Sequence, residues 1–141
     1  MNDKPNVKQV VPFFGINSME KSLAFYVGGL GFKMKNKWTP RGTIEWCWLE
    51  LGGAAIMLQE YRTDGDHSWK PEGKLGSGVS TVFICEDTIA LYRDFKAKGL
   101  KPSRPFVGNG MWMTTVHDPD GYVLHFESDT DAEEESVWEG D

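Results

Sequence analysis

From Tyr122 to Glu127 the chain reads Tyr-Val-Leu-His-Phe-Glu, a short run whose alternate side chains point to opposite faces of a strand. Before it stands Asp118-Pro119-Asp120-Gly121, a turn in which Pro119 sets φ and Gly121 supplies the positive φ. Residues 49–60 repeat the plan: strand, Gly52-Gly53 turn, strand. Each hairpin follows a segment with helical spacing, so one unit is written twice.

The pattern predicts a strand over Gln9–Ile16, with Pro12 marking an edge or bulge. Asn17 or Ser18 caps a helix whose Met19, Leu23, Tyr26 and Val27 share a face, and Gly28-Gly29 ends it. Strands follow over Leu30–Trp38, Thr43–Leu51 and Ala54–Tyr61. Residues 62–77 are polar and form the linker. The order then recurs: strand Gly78–Glu86, a helix capped by Asp87 or Thr88 and closed by Gly99, then strands Lys101–Phe106, Met111–His117 and Tyr122–Glu127. The fold class is α+β, with two βαβββ modules over about 8–61 and 78–128 whose mixed sheets curl around a shared cleft.

Composition changes this picture little. Apolar residues make up 40% of the 141, enough for one packed core, and no 18-residue apolar run is present. The N-terminus is polar and unlike a signal peptide, so the expected location is cytoplasmic. Cys47 and Cys85 fall within strands and are expected as free buried thiols. The net charge of −6 is concentrated at the C-terminus. Without the seven acidic residues of 129–141, the body has 14 acidic and 15 basic groups. That segment is expected to be an acidic, flexible tail in which Trp138 is the one candidate for docking. No basic stripe points to nucleic acid or to an anionic membrane.

The duplicated units, the run Met19-Glu20-Lys21-Ser22-Leu23-Ala24-Phe25-Tyr26 with Leu30-Gly31-Phe32, and Asp118-Pro119-Asp120-Gly121 together resemble the vicinal oxygen chelate superfamily. That superfamily includes glyoxalase I, extradiol dioxygenases and bleomycin-resistance proteins. The resemblance spans about residues 8–128, and it implies metal-ligand positions on the first and last strands of each module. Here they fall on Val11, Met57, Ser80 and His125. Val11 has no donor atom, Met57 offers a soft thioether, Ser80 is a poor ligand, and one imidazole does not hold a divalent ion alone. We therefore expect no metal and no cofactor. His67 lies in the polar linker, and His117 is expected to position the turn beside Asp118.

Hairpin register then names a cleft. With Gly52-Gly53 as a two-residue loop, Leu51 pairs with Ala54, Trp48 with Met57 and Trp46 with Gln59. If Met57 faces the cleft, so do its partners. In the second module, pairing His117 with Tyr122 sets Thr114 against His125 and Trp112 against Glu127. The candidate ligand-binding residues are Phe13, Trp46, Trp48, Met57, Gln59, Trp112, Thr114, His125 and Glu127, with Val11 and Ser80 beside them. Three indoles and a few polar groups suit a planar or aromatic organic ligand, although aromatic residues also serve simply to fill strands.

No nucleophile–base pair and no phosphate-binding glycine loop is present, so no catalytic residue is assigned. The reading is a small-molecule binding protein similar to the bleomycin-resistance branch, with antibiotic sequestration as one form of that function. The resemblance implies a homodimer with clefts near the subunit interface. The rivals are a metal-independent isomerase or lyase using His125 and Glu127, and a metalloenzyme with relocated ligands such as His125, Glu127 and Gln59.

Overall fold

The computed structural model describes residues 5–62 and 71–141. His67 lies outside the described residues. In chain order the elements are β1 (Phe13–Ile16), α1 (Met19–Leu23), a π-helical segment (Ala24–Gly29), β2 (Lys33–Trp38), β3 (Trp46–Leu51), β4 (Ala54–Glu60), β5 (Ser80–Ile84), α2 (Thr88–Ala97), β6 (Phe106–Gly108), β7 (Met111–His117) and β8 (Val123–Asp129). They form two four-stranded mixed sheets, β1-β4-β3-β2 and β5-β8-β7-β6. The first strand of each module runs parallel to the last, and the remaining pairs are antiparallel. The fold is α+β, in two similar modules.

Helix starts follow their caps. Ser18 accepts from Lys21 N, and the Glu60 carboxylate accepts from Met19 N at 2.7 Å. Asp87 accepts from Ala90 N at 3.0 Å at the start of α2. The first helix departs from expectation after Leu23, where it widens into π geometry and Leu30 N donates to Phe25 O. The extra residue in the turn rotates the later face, so Tyr26 is buried while Val27 is exposed. The sixth strand also shifts from its expected place. Pro102 and Pro105 lack N–H donors, and the named strand begins only at Phe106.

Strand alternation sorts the core. Phe14, Ile16, Cys47, Leu49, Ile56 and Leu58 are buried in the first sheet, on the side of the helix. Thr114, Val116, Leu124 and Phe126 are buried in the second, where α2 packs on β7 and β8. An aromatic chain joins the modules: Phe32 meets Phe83 edge-on at 6.0 Å, and Phe83 stacks on Phe126 at 4.9 Å.

Polar bonds fix the same junction. The Tyr26 hydroxyl donates to Asp118 Oδ2 at 2.8 Å, and the Tyr122 hydroxyl donates to Gly15 O at 2.8 Å. Asn17 donates to Asp120 through both its backbone N and its side-chain amide. Burial raises the Asp118 carboxyl above the ordinary range, against the lowering effect of the bond from Tyr26. Within residues 129–141, expected as a flexible tail, Asp129 ends β8, residues 135–138 lie along β6, and Trp138 packs against Trp112.

Candidate functional site

Each sheet has one face under its helix and one open face. On the first sheet the observed register is Trp48 with Met57, Trp46 with Gln59 and Phe13 with Met57. Residues directly opposite one another share a face. Phe13, Trp46, Trp48, Met57 and Gln59 therefore all stand on the open face, opposite the buried Cys47, Leu49 and Leu58. Trp38 joins them by pairing with Trp46. Phe13 and Trp38 are 50% and 49% exposed, which is high for aromatic side chains. The indole of Trp48 donates from Nε1 to the Glu50 carboxylate at 2.7 Å, which sets the ring's orientation. At one end of this face Gly15 leaves room for Tyr61; a Cβ on Gly15 would run into the Tyr61 ring.

On the second sheet the register corrects two expectations. His117 pairs with Val123, Thr115 with His125, and Met113 with Glu127. Trp112 and Thr114 pair instead with Ser128 and Phe126, on the helix face. Thr114 is fully buried and donates to Ser103 O at 2.6 Å.

The cause is the turn. Asp118 N donates to Tyr122 O, so these two residues, one step beyond the ladder, close a loop of Pro119-Asp120-Gly121. Asp118 Oδ1 accepts from Asp120 N and Tyr122 N, both at 2.9 Å, and Gly121 has φ 93°. A three-residue loop with a left-handed glycine shifts the pairing by one residue from a four-residue loop. A one-residue shift exchanges the faces. His117 is exposed beside the turn, and Asp118 itself organises it.

His125 and Glu127 remain on the open face, joined there by Met113 and Thr115, which sequence reasoning missed. Thr115 Oγ1 lies 2.7 Å from His125 Nδ1 and orients the ring. On the edge strand β5, Val82 pairs with His125 and Ile84 with Glu127.

The two open faces adjoin at the seam between the edge strands β1 and β5. Phe13 from one and Ser80 and Val82 from the other line a cavity of about 590 Å³ there, along with Val10, Tyr122 and Val123. A further cavity of about 600 Å³ lies where the β3–β4 turn approaches β5 and α2, lined by Leu30, Leu51, Ala54, Ile84, Cys85 and Leu91.

No metal site is built from these residues. Val11, Met57 and Ser80 offer no strong donor at the positions the superfamily resemblance marks. Among the described residues, no three His, Cys, Asp or Glu side chains are grouped so as to hold a metal ion. The donor set thus does not fit a divalent ion. Cys47 is buried, and burial pushes its thiol up to about 11. Among the described residues no helix is long and apolar enough to cross a membrane.

Comparison with known proteins places this geometry. The family model described as the Glyoxalase/Bleomycin resistance protein/Dioxygenase superfamily matches residues 9–126. The crystal structure of SMU.1112c is similar at 22% identity and TM-score 0.68, over 86% of this chain and 99% of that one. TnmS3, an antibiotic binding protein from Streptomyces sp. CB03234, is similar at 20% identity and TM-score 0.68, over 90% of this chain and all of the other. Lactoylglutathione lyase from Agrobacterium tumefaciens is similar at 18% identity and TM-score 0.62, over 89% and 96%. No curated protein sequence matches this chain significantly. A binding protein and an enzyme thus share the fold, and the fold alone does not choose between them.

Proposed function

Because this chain belongs to the glyoxalase/bleomycin resistance protein/dioxygenase superfamily, and carries Val11, Met57 and Ser80 where metal-dependent chemistry would need ligands, we propose that it binds a planar or aromatic organic molecule without transforming it. The observation that carries this reading is the shared face of Trp46, Trp48, Met57 and Phe13. Flat apolar groups offer a ligand area and stacking, each aromatic pair contributing about 0.5–1.5 kcal/mol beyond burial. The bond from Trp48 to Glu50 holds one indole in place beforehand, which lowers the entropy lost on binding.

Polar groups give orientation. His125, fixed by Thr115, and Glu127 stand two residues apart on β8 and offer a hydrogen bond and a negative charge. TnmS3, similar in fold, is an antibiotic binding protein, and we assign antibiotic binding, as sequestration, to this chain as the leading case.

The protein acts in this reading as a cytoplasmic homodimer. The strands β1 and β5 end their sheets, and Val79 and Ile84 stand 68% and 70% exposed beside that seam. A second copy covering them would bury apolar surface and enclose the open faces.

Calorimetric titration with a panel of planar aromatic compounds, neutral and cationic, tests the function. At least one class is expected to bind with one site per chain and to be recovered unchanged. Conversion of the bound compound, lost on His125→Ala or Glu127→Gln, would replace this reading with that of an isomerase or lyase.

A further inference from the structure

The C-terminal segment continues the second sheet. Residues 135–138 run antiparallel to β6, with Glu135 N donating to Val107 O, Val107 N to Ser136 O, and Trp138 N to Pro105 O at 2.8–2.9 Å. Phe106 stands opposite Val137. Both ends are tied down. The Glu134 carboxylate accepts from Asn109 N at 2.5 Å and from Gly110 N at 2.9 Å, gripping the β6–β7 turn. Arg104 donates to the carbonyls of Trp138 and Gly140, and Arg93 donates to that of Asp141.

Residues 130–141 contain only two large apolar side chains, Val137 and Trp138, and they are adjacent. Adjacent residues of an extended segment face opposite sides. Trp138 takes the helix side, edge-on to Trp112 at 5.8 Å and beneath the Arg93 guanidinium at 5.5 Å. Val137 is left on the open side, 50% exposed beside Phe106. The pairings carry one row across the whole sheet: Ile84, Glu127, Met113, Phe106, Val137. A segment that only sealed the edge of β6 would be expected to turn a charge outward here, as edges usually do. Half of residues 130–141 are acidic, yet the segment turns a valine outward here.

We propose that the C-terminal segment is a fifth strand of the ligand-binding sheet. In it, Val137 with Phe106 and Met113 forms an apolar shelf for the body of a planar organic cation whose charge sits at Glu127. This rests on the reading of the open faces as the binding surface. With strands about 4.8 Å apart, Glu127 and Val137 stand roughly 14 Å from each other, room for a fused-ring ligand. The Glu127 carboxylate in this row favours a cation over an anion.

The test is fluorescence titration of the full-length protein with proflavine, a planar cationic aromatic. The variants are Val137→Lys, Val137→Ser and Glu127→Gln, with Glu20→Gln on α1 as a control away from the shelf. Since Val137 is half exposed, its variants are expected to melt within about 2 °C of the parent. Val137→Lys is expected to weaken binding tenfold or more, Val137→Ser several-fold, Glu127→Gln tenfold, and Glu20→Gln less than twofold. If the parent binds proflavine and both Val137 variants bind within twofold of it, the segment is outside the site and this inference alone falls. If the parent binds neither proflavine nor any other planar aromatic, the reading of the open faces falls and takes this inference with it.

Discussion

Replacing Tyr26 by Phe removes one oxygen from the junction between the modules and leaves the ring in place. Tyr26 is fully buried, and its hydroxyl donates to Asp118 Oδ2 at 2.8 Å. Asp118 is 5% exposed and keeps its two backbone donors on Oδ1, so the change orphans one oxygen of a buried carboxylate. A hydrogen bond to a charged group contributes about 1.5–3 kcal/mol, and we expect Tyr26→Phe to cost about 2 kcal/mol at pH 7.

The pH dependence supplies a second signature. Burial already raises Asp118 above its unfolded value, and the Tyr26 bond opposes that rise. A raised carboxyl favours folding most below its unfolded pKa of about 3.9, and that contribution disappears as pH climbs through the folded pKa. Without the hydroxyl the folded value rises further. The penalty of the substitution should therefore be largest at neutral pH and shrink towards about 1 kcal/mol near pH 4, where the protonated carboxyl needs its partner less. Urea unfolding of the parent, Tyr26→Phe, Asp118→Asn and the double variant at both pH values measures this. The coupling energy from the double-mutant cycle should be at least about 1 kcal/mol at pH 7. A coupling below about 0.5 kcal/mol, or a penalty that grows as pH falls, would refute the argument.

Two further outcomes follow from the packing. Trp138→Ala removes the edge contact with Trp112 and the cation–π contact with Arg93, and should cost about 2–3 kcal/mol, lowering the melting temperature by roughly 5–10 °C; calorimetry checks this, and an unchanged melt would mean the segment does not dock. Cys47, buried and with its thiol pushed up to about 11, should resist Ellman's reagent in the native protein while Cys85 reacts, and both should react in denaturant; two fast native thiols would contradict the burial.

Much of the architecture was written in local chemistry. The repeat, the strand faces of the first module and its hairpin register follow from Gly52-Gly53, because a two-residue loop leaves one pairing. The second hairpin was less legible because the Asp118 side chain joins the turn and changes the loop length from four to three. The signal was present as Asp-x-x-Gly, the spacing of a three-residue loop with a left-handed glycine. Buried Thr114 misled as well, since its hydroxyl is satisfied by Ser103 O from a loop that strand periodicity does not place.

The π turn after Leu23 left no mark in the apolar spacing, which fits an α-helix equally well. At the C-terminus the acidic residues dominated the reading. The neighbouring Val137 and Trp138 were the structural signal, and their role depends on Arg93, Arg104 and β6, remote in sequence. For the site, the first sheet's indoles were identified by register, while Glu50, Met113 and Thr115 required the pairing itself.

The central claim is that ligand meets the open faces, and the tryptophans report it directly. Trp46 and Trp48 stand on that surface, whereas Trp112 lies beneath α2 against Trp138. Intrinsic fluorescence should be titrated with a planar aromatic ligand from the binding panel in the parent, Trp46→Phe/Trp48→Phe and Trp112→Phe proteins. The account predicts strong quenching in the parent and in Trp112→Phe, and loss of most of the quenching in the double variant, with affinity reduced roughly tenfold or more. Quenching and affinity that survive in a folded double variant but vanish in Trp112→Phe would place the ligand on the helix side and contradict it.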